Sequence, residues 1–278
     1  MNDVAGARAS TRKRLTQKER WTIIQSMLES RPVVLISDLA SQFNVSVETA
    51  RRDIDAMAEA ELLERTYGGA TALNTASEPA INQRATQHPE ARQRIAEAAT
   101  ALVRDGQVLM FDSCATCFPL AHHLVVERQD LKIITNSFPI ANIMTRNPTF
   151  DITVAGGQYK SSEGANYGSE TTEFLRRFVA DHCFSSCSAL SIEGPTEVNS
   201  DLAAVKRVMF TRARRTSLLV DHDKFRRPKL ELVSPLDALD HIFTDAPVEQ
   251  AFLDALATTN AELHVTNPPY QAGASRPA

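Results

Sequence analysis

From Arg92 onward the chain alternates strand-length apolar runs with helix-length stretches, and this alternation limits its fold more than any other feature. The apolar runs are Gln107–Phe111, Leu131–Thr135, Asp151–Ala155, Ser188–Ile192, Thr216–Val220 and His241–Thr244. Helical stretches at about 92–104, 116–127, 138–147, 169–179, 201–213 and 247–258 separate them. Strands joined through helices form a mostly parallel sheet with helices on both faces. Such sheets bind ligands outside the carboxyl ends of their strands. Here those ends run into Asp112-Ser113, Asn136-Ser137, Gly156-Gly157, Glu193-Gly194, Asp221 and Asp245. Asp, Asn and Gly end strands in any such fold, so the set, more than any one loop, reads as a polar pocket. The loop Asp112–Thr116 leads into a helix, where hydroxyls and free N–H groups suit an anion such as phosphate.

The first 73 residues follow a different pattern. Trp21, Ile24, Met27 and Leu28 fall three and four apart and predict a helix over Thr16–Ser30, with Thr16 and Glu19 at capping-box spacing. Ile36, Leu39, Ala40 and Phe43 predict a second helix over Ser37–Phe43, and Asn44 suits a left-handed turn. Ser46 caps a third helix running to about Ala60, with Val47, Ala50, Ile54 and Met57 inward and Glu48, Arg51, Arg52 and Asp55 outward. Leu62–Tyr67 and Ala70–Leu73 read as strands around a Gly68-Gly69 turn. This is a winged helix-turn-helix, whose second short helix enters the major groove. On that reading Ser46, Glu48, Thr49, Arg51 and Arg52 face DNA, and Arg65, Tyr67 and Gly68 form the wing. Arginine suits both guanine edges and phosphates. Three short helices and a hairpin also build protein-interaction modules; the combination of turn, cap and wing favours DNA.

A net charge of −4 argues against a nucleic-acid binder only when averaged over all 278 residues. Residues 1–73 carry ten basic and ten acidic side chains, and the remaining 20 basic and 24 acidic residues account for the whole deficit. Residues 8–20 hold six basic residues against one acid. No apolar run approaches the roughly 18 residues of a membrane span, and no apolar core follows Arg8, Arg12, Lys13 and Arg14, so a cytoplasmic location is expected. Cys114, Cys117, Cys183 and Cys187 form a C-x2-C and a C-x3-C pair too far apart for a zinc ribbon. They read as small buried hydrophobes, and neither a metal centre nor a cofactor is expected. No Walker sequence, dinucleotide fingerprint or G-x-S-x-G elbow is present. Asp112, Lys206 and Asp221 offer acid and base groups for a sugar-phosphate isomerase, an alternative without fixed geometry.

Val45-Ser46-Val47-Glu48-Thr49-Ala50-Arg51-Arg52-Asp53-Ile54, followed by Arg65-Thr66-Tyr67-Gly68-Gly69-Ala70, resembles the DNA-binding domain of the DeoR family of bacterial transcriptional regulators. The S-x-E-T-x-R-R-D helix and the R-x-x-G-G-A wing are both intact. The resemblance continues through Arg84, Ile95–Ala99, Asp105-Gly106, Asp112-Ser113, Thr135–Ser137, Gly156-Gly157, Gly168, Val205–Met209, Asp221–Phe225 and Thr244-Asp245. It spans about 15–265. It implies a sensor domain similar to ribose-5-phosphate isomerase and acyl-CoA transferase folds, which binds a phosphorylated sugar or related metabolite and performs no chemistry. The implied effector contacts are Asp112, Ser113, Thr116, Asn136, Gly156, Gly157, Lys206 and Lys224. Lys206 is the natural phosphate partner.

The expected protein is therefore a repressor of a carbohydrate-catabolic operon, acting as a homo-oligomer on operator DNA and released by a phosphorylated metabolite. Its expected parts are a disordered arm at 1–14, the winged domain at 15–73, a linker at 74–90, the α/β sensor at 91–266 and a disordered tail at 267–278. Three departures qualify the effector. Where the family's first loop reads D-[SG]-G-[TS]-T, this chain has Cys114 and Ala115, and Ser188–Ser191 lacks the usual Gly. Leu202-Ala203-Ala204 replaces the acids before Val205-Lys206-Arg207. A non-sugar or thiol-sensitive effector site is the corresponding alternative.

Overall fold

The computed structural model describes residues 15–30, 33–60, 62–72 and 78–266. The expected arm, tail, first residues of the linker and last strand residue, Leu73, lie outside them. Contacts divide the chain into two units, Met1–Asn74 and Thr75–Ala278.

In the first unit, helix α1 (Gln17–Ser30) starts with a capping box: the Thr16 N–H donates to Glu19 at 2.7 Å and the Glu19 N–H to Thr16 Oγ1 at 3.3 Å. Strand β1 (Val33–Leu35), which the sequence reading missed, precedes α2 (Ile36–Phe43). Asn44, at φ 52°, ends α2 in the left-handed region. Ser46 Oγ then accepts the Thr49 N–H at 3.1 Å and starts α3 (Val47–Glu59). Strands β2 (Leu63–Thr66) and β3 (Gly69–Ala72) complete an antiparallel sheet in the order β1-β3-β2. Ile24, Leu39, Phe43, Ile54, Met57 and Leu63 form the core. Two expectations need correction. Val47 is exposed, and Asp53 takes its place on the inner face of α3. The wing turns at Tyr67-Gly68, because Gly69 already pairs with Leu35 and Thr66. A Cβ on Gly69 would lie 2.1 Å from the Val34 carbonyl oxygen, so only glycine permits that pairing.

The second unit opens with α4 (Ile81–Ala85), inside the stretch expected to be linker. It continues through α5 (Pro89–Thr100), β4 (Val108–Phe111), α6 (Cys117–Glu127), β5 (Lys132–Thr135), α7 (Phe138–Met144) and β6 (Asp151–Val154). A hairpin of β7 (Gln158–Lys160) and β8 (Ala165–Tyr167), α8 (Ser169–Arg176) and β9 (His182–Ser185) follow. Next come β10 (Ala189–Ser191), β11 (Gly194–Glu197), α9 (Ser200–Arg212), β12 (Thr216–Leu219) and β13 (Glu231–Leu232). Strand β14 (His241–Thr244), α10 (Gln250–Leu256) and β15 (Glu262–Val265) complete the unit.

Seven strands form a parallel sheet in the order β15-β14-β12-β9-β4-β5-β6. Its two faces bury separate cores, as expected for helices on both sides. Along β4, Leu109 and Phe111 join Ile95, Leu120 and Leu124 on one face, while Met110 joins Cys183, Val205 and Met209 on the other. The fourth expected strand needs correction. Ser188–Ile192 contributes β10 to a small antiparallel sheet in the order β10-β11-β13, and the main sheet uses β9 instead. The order reverses between β4 and β9: β5 and β6 extend one way, and β12, β14 and β15 the other. That crevice is the ligand position of doubly wound sheets. No helix among the described residues is long and apolar enough to cross a membrane.

Candidate functional site

The first unit presents a cationic surface on α3 and the wing. Arg51 and Arg52 remain 52% and 78% exposed, each facing Glu48, at 3.6 and 3.3 Å. Pairs so exposed contribute little to stability, which leaves both guanidiniums available to another anion. Ser46 and Thr49 hydroxyls lie 2.8 Å apart at the start of the helix. Arg65, half exposed, pairs with Asp55 at 2.8 Å and ties β2 to α3. Tyr67 is fully exposed, and Gly68 beside it has φ 86°. The third charge of the Arg-Arg-Asp run plays a different part: buried Asp53 accepts Arg20 Nε at 2.5 Å and Nη2 at 2.9 Å, locking α1 to α3.

The second unit has a polar pocket at the reversal between β4 and β9. Ser113, Cys114, Ala115 and Thr116 reach it from the loop after β4, and Ser186 and Cys187 from the loop after β9. Arg84, Arg92, Lys206 and Lys224 supply four cations, and Glu197 and Leu202 complete the wall. Each cation is also held by carboxylates. Lys206 Nζ donates to Asp112 and to the Ser186 carbonyl at 2.8 Å, and lies 3.3 Å from Glu197. Arg92 pairs with Asp221 at 3.0 Å. Arg84 pairs with Glu163 and, at 2.9 Å, with Glu78. Lys224 and Arg226 reach the same Glu78 at 3.3 and 3.7 Å.

These contacts set the protonation states. Burial pulls the Lys206 ammonium down, but Asp112 and Glu197 outweigh it and hold it well above the ordinary lysine range. Burial pushes Glu197 up despite Lys206. Burial also opposes the Glu78 charge, yet Lys224, Arg84 and Arg226 together bring its pKa down. Three buried polar atoms, Arg84 Nε, Asp112 Oδ1 and Asp221 Oδ1, have no hydrogen-bond partner among the described residues. Of the three residues Arg84 lines the pocket, and an unpaired buried donor there favours an occupant that accepts hydrogen bonds.

Of the effector contacts that the resemblance implies, Ser113, Thr116, Lys206 and Lys224 line this pocket, and Asp112 lies behind Lys206. Asp112 acts as the counter-charge of Lys206, and Ser113 Oγ donates to the Glu163 carbonyl at 2.6 Å. Asn136, Gly156 and Gly157 are not part of the pocket wall. The Asn136 amide donates to the Asn166 carbonyl at 2.9 Å, and the Gly156 carbonyl accepts Thr171 Oγ1 at 2.7 Å. At Gly157, φ 142°, a Cβ would meet Thr171 Oγ1 at 2.0 Å, so close packing accounts for this glycine. The N-terminus of α6 is also partly occupied. The N–H groups of Cys117 and Phe118 turn back to the Cys114 and Ala115 carbonyls at 3.2 and 3.4 Å. All four cysteines are buried with free thiols, and burial, reinforced by Cys114, pushes the Cys117 thiol well up, away from thiolate chemistry.

Arg84, Arg92, Glu78, Glu163 and Glu197 complete the ionic network but are absent from the sequence-derived set. Arg84 sits in the stretch read as linker, and nothing in the spacing of the others marks them.

Residues 20–76 match the DeoR-like helix-turn-helix domain, and residues 87–246 match the DeoR C terminal sensor domain. The chain belongs to the DeoR family. It is a DNA-binding transcriptional regulator of that family. It is 27% identical over 252 residues to the glycerol-3-phosphate regulon repressor of Escherichia coli, covering 90% of this chain and 100% of that one. It is 29% identical over 250 residues to the transcriptional repressor CsqR of E. coli, covering 90% and 95%. With the repressor GlcR of Bacillus subtilis it shares 28% identity over 257 residues, covering 90% and 96%. Among solved structures, the ribose 5-phosphate isomerase of Methanocaldococcus jannaschii aligns with TM-score 0.38 and 14% identity, over 50% of this chain and 56% of that one. A translation initiation factor of Pyrococcus horikoshii aligns with TM-score 0.40 and 13% identity, over 81% and 85%. Likeness of that degree carries no functional meaning.

Proposed function

We propose that this DeoR regulator represses a carbohydrate-catabolic operon and is released from its operator by a phosphorylated sugar or related metabolite. The observation that carries the effector is the pocket at the strand-order reversal, where four cations face one cavity and are held in place by buried carboxylates. Fixed guanidinium and ammonium groups bind phosphate without first being ordered, which favours affinity. The relatives are repressors, and one is named for the glycerol-3-phosphate regulon.

On this reading Ser46, Glu48, Thr49, Arg51 and Arg52 of α3 contact the major groove, and Arg65, Tyr67 and Gly68 the backbone beside it. Ser113, Thr116, Lys206 and Lys224 hold the effector, with Arg84 and Arg92 added by the structure. A cytoplasmic homo-oligomer places two α3 helices on repeated half-sites. The isomerase alternative is less well supported. Lys206 is held protonated by Asp112 and Glu197, and Asp221 is engaged by Arg92, so neither is a free general base.

The test uses a DNA site selected by the full chain from a random pool. Arg52→Ala weakens that complex at least tenfold, while the second unit melts as before; unchanged affinity overturns the recognition-helix assignment. A panel of triose to hexose phosphates is then screened for release of the DNA and for a raised melting temperature. Lys224→Met abolishes release and spares DNA binding. Release that persists in this variant places the effector elsewhere.

A further inference from the structure

A second constellation lies outside the pocket, where the start of α5 meets the turn at His222–Lys224. His88 Nε2 lies 2.6 Å from Asp223 Oδ2, and His222 Nε2 lies 3.5 Å from Asp223 Oδ1. One atom from each of the three side chains falls within 4.8 Å of the others. We propose that His88, His222 and Asp223 form a binding site for a divalent transition-metal ion, with zinc the best fit.

The donor set supports this class of ion. Two imidazoles and one carboxylate suit borderline cations better than calcium or magnesium, which take all-oxygen sites. Tetrahedral zinc at about 2.0–2.2 Å from each donor sets ligand atoms roughly 3.4 Å apart. Side-chain adjustments of about an ångström close the present geometry to that value. Three protein donors leave one position for water, and all three side chains are partly exposed, so an ion can enter from solvent.

The shell behind the donors is already in place. Asp245, nearly buried at the end of β14, accepts the His222 backbone N–H at 2.8 Å and faces Nδ1 of the same residue at 2.9 Å. A carboxylate can only accept, so His222 Nδ1–H donates to Asp245 and Nε2 faces the cluster, while His88 Nε2–H donates to Asp223 in the metal-free protein and gives up that proton when an ion binds. This carboxylate–histidine arrangement is the usual support of a metal-bound imidazole. The charge also fits, since Asp223 and Asp245 together balance a dication. His88 adds an independent sign. It holds φ 48° directly before Pro89, an unfavourable backbone state for a non-glycine residue. From that position its ring reaches Asp223.

Two other groupings fit less well, although His241, His264 and Glu262 offer the same donor types. Asp112, Cys114 and Cys117 are buried, and Asp112 is committed to Lys206. His241 and His264 point their nitrogens at each other across 3.2 Å, with a well-exposed Glu262 beside them.

A bound ion would staple the first residue before α5 to the turn that carries Lys224. The Arg92–Asp221 pair already joins the same two elements. Metal occupancy would therefore stiffen two walls of the effector pocket without entering it.

The experiment uses the full chain without a histidine tag, stripped with chelator and titrated with ZnCl2 by calorimetry. One zinc ion per chain is expected, together with a raised melting temperature and, with Co2+ as the probe, a visible ligand-field band. His88→Gln, His222→Gln and Asp223→Asn each weaken binding at least tenfold. Asp245→Asn weakens it by about 10–100-fold by freeing the His222 ring, and His264→Gln leaves it unchanged. The donors are surface groups, so the stripped variants melt close to the stripped wild type. Should one of them fail to fold, the other two carry the comparison. The proposal is overturned if stripped wild type takes up no zinc, or if the folded donor variants keep its stoichiometry and affinity.

Discussion

Lys206→Met removes the ammonium at the centre of the pocket and keeps the length of the side chain. Lys206, Asp112 and Glu197 are all less than 5% exposed, so the variant leaves two buried carboxylates without their cation. Breaking a buried pair from one side costs about 3–5 kcal/mol. At about 2–4 °C per kcal/mol for a unit of this size, the second transition falls by about 6–20 °C. Acid should narrow the gap. Burial already holds the folded Glu197 carboxyl above its ordinary value of 4.5, and Lys206 is the largest influence opposing it. Without Lys206 the folded pKa rises further. In the window between the unfolded and folded values the folded state then binds more protons than the unfolded one, so stability falls as pH rises. The deficit is therefore full above that window and shrinks as pH drops toward 4.5. Adding Glu197→Gln should recover part of the loss at neutral pH. Differential scanning calorimetry of the full chain across pH 4–8 reads all three effects (a range spanning roughly the Glu and His titrations). A neutral-pH transition within about 2 °C of wild type, less than about 1 kcal/mol, refutes the buried ionic network as described.

Asp53→Ala strands the Arg20 guanidinium and should cost the first unit about 3 kcal/mol, lowering its transition by 12 °C or more; a wild-type melting profile sinks the clamp. Gly69→Ala drives a methyl group into the Val34 carbonyl and should disrupt β1–β3 pairing, whereas Gly68→Ala, in open space at φ 86°, costs only about 1–2 kcal/mol. Equal melting of the two variants would show that the turn is misplaced. His182 stacks on Phe184 within the sheet and is lowered to about 4, mainly by burial and then by His241. Its folded pKa lies below the unfolded 6.5, so its contribution is present above pH 6.5 and is lost as pH falls toward 4. The difference amounts to about 3 kcal/mol. Imidazole NMR that shows His182 titrating near 6.5 in the folded chain contradicts this.

Elements with a strong period were legible in the sequence: α1 to α3 of the first unit and five of the seven parallel strands. Residues whose role depends on a distant partner were not. The sequence reading put Asp53 on neither face of its helix, because its buried role depends on Arg20, 33 positions away. Strand β9 hides because its His182 and Ser185 look polar, yet His182 meets Ser217 at 2.7 Å inside the sheet. Strand β1 is three residues long, too short to show alternation. Within the pocket, Lys206 and Lys224 were reached through the family resemblance, Lys206 lying inside α9 and away from any strand end, whereas Glu78 and Arg84 come from a stretch whose loop-like composition conceals buried charge.

The carboxylates behind the four cations bear on how an effector would act. A bare cluster of four positive charges would attract any anion, while fully paired cations would attract none strongly. The observed pocket lies between these limits, because each cation keeps a fixed partner and a face toward the cavity. An effector binding there competes with those partners, so its affinity reflects the difference between two sets of ionic contacts. Glu78 is where this competition is most concentrated, since Lys224, Arg84 and Arg226 all converge on it. It also lies four residues beyond Asn74, the last residue of the DNA-binding unit. Under the proposed function, an anion that draws Lys224 and Arg84 away from Glu78 weakens the hold on that chain segment. By reciprocity, whatever secures Glu78 must weaken the effector by the same factor.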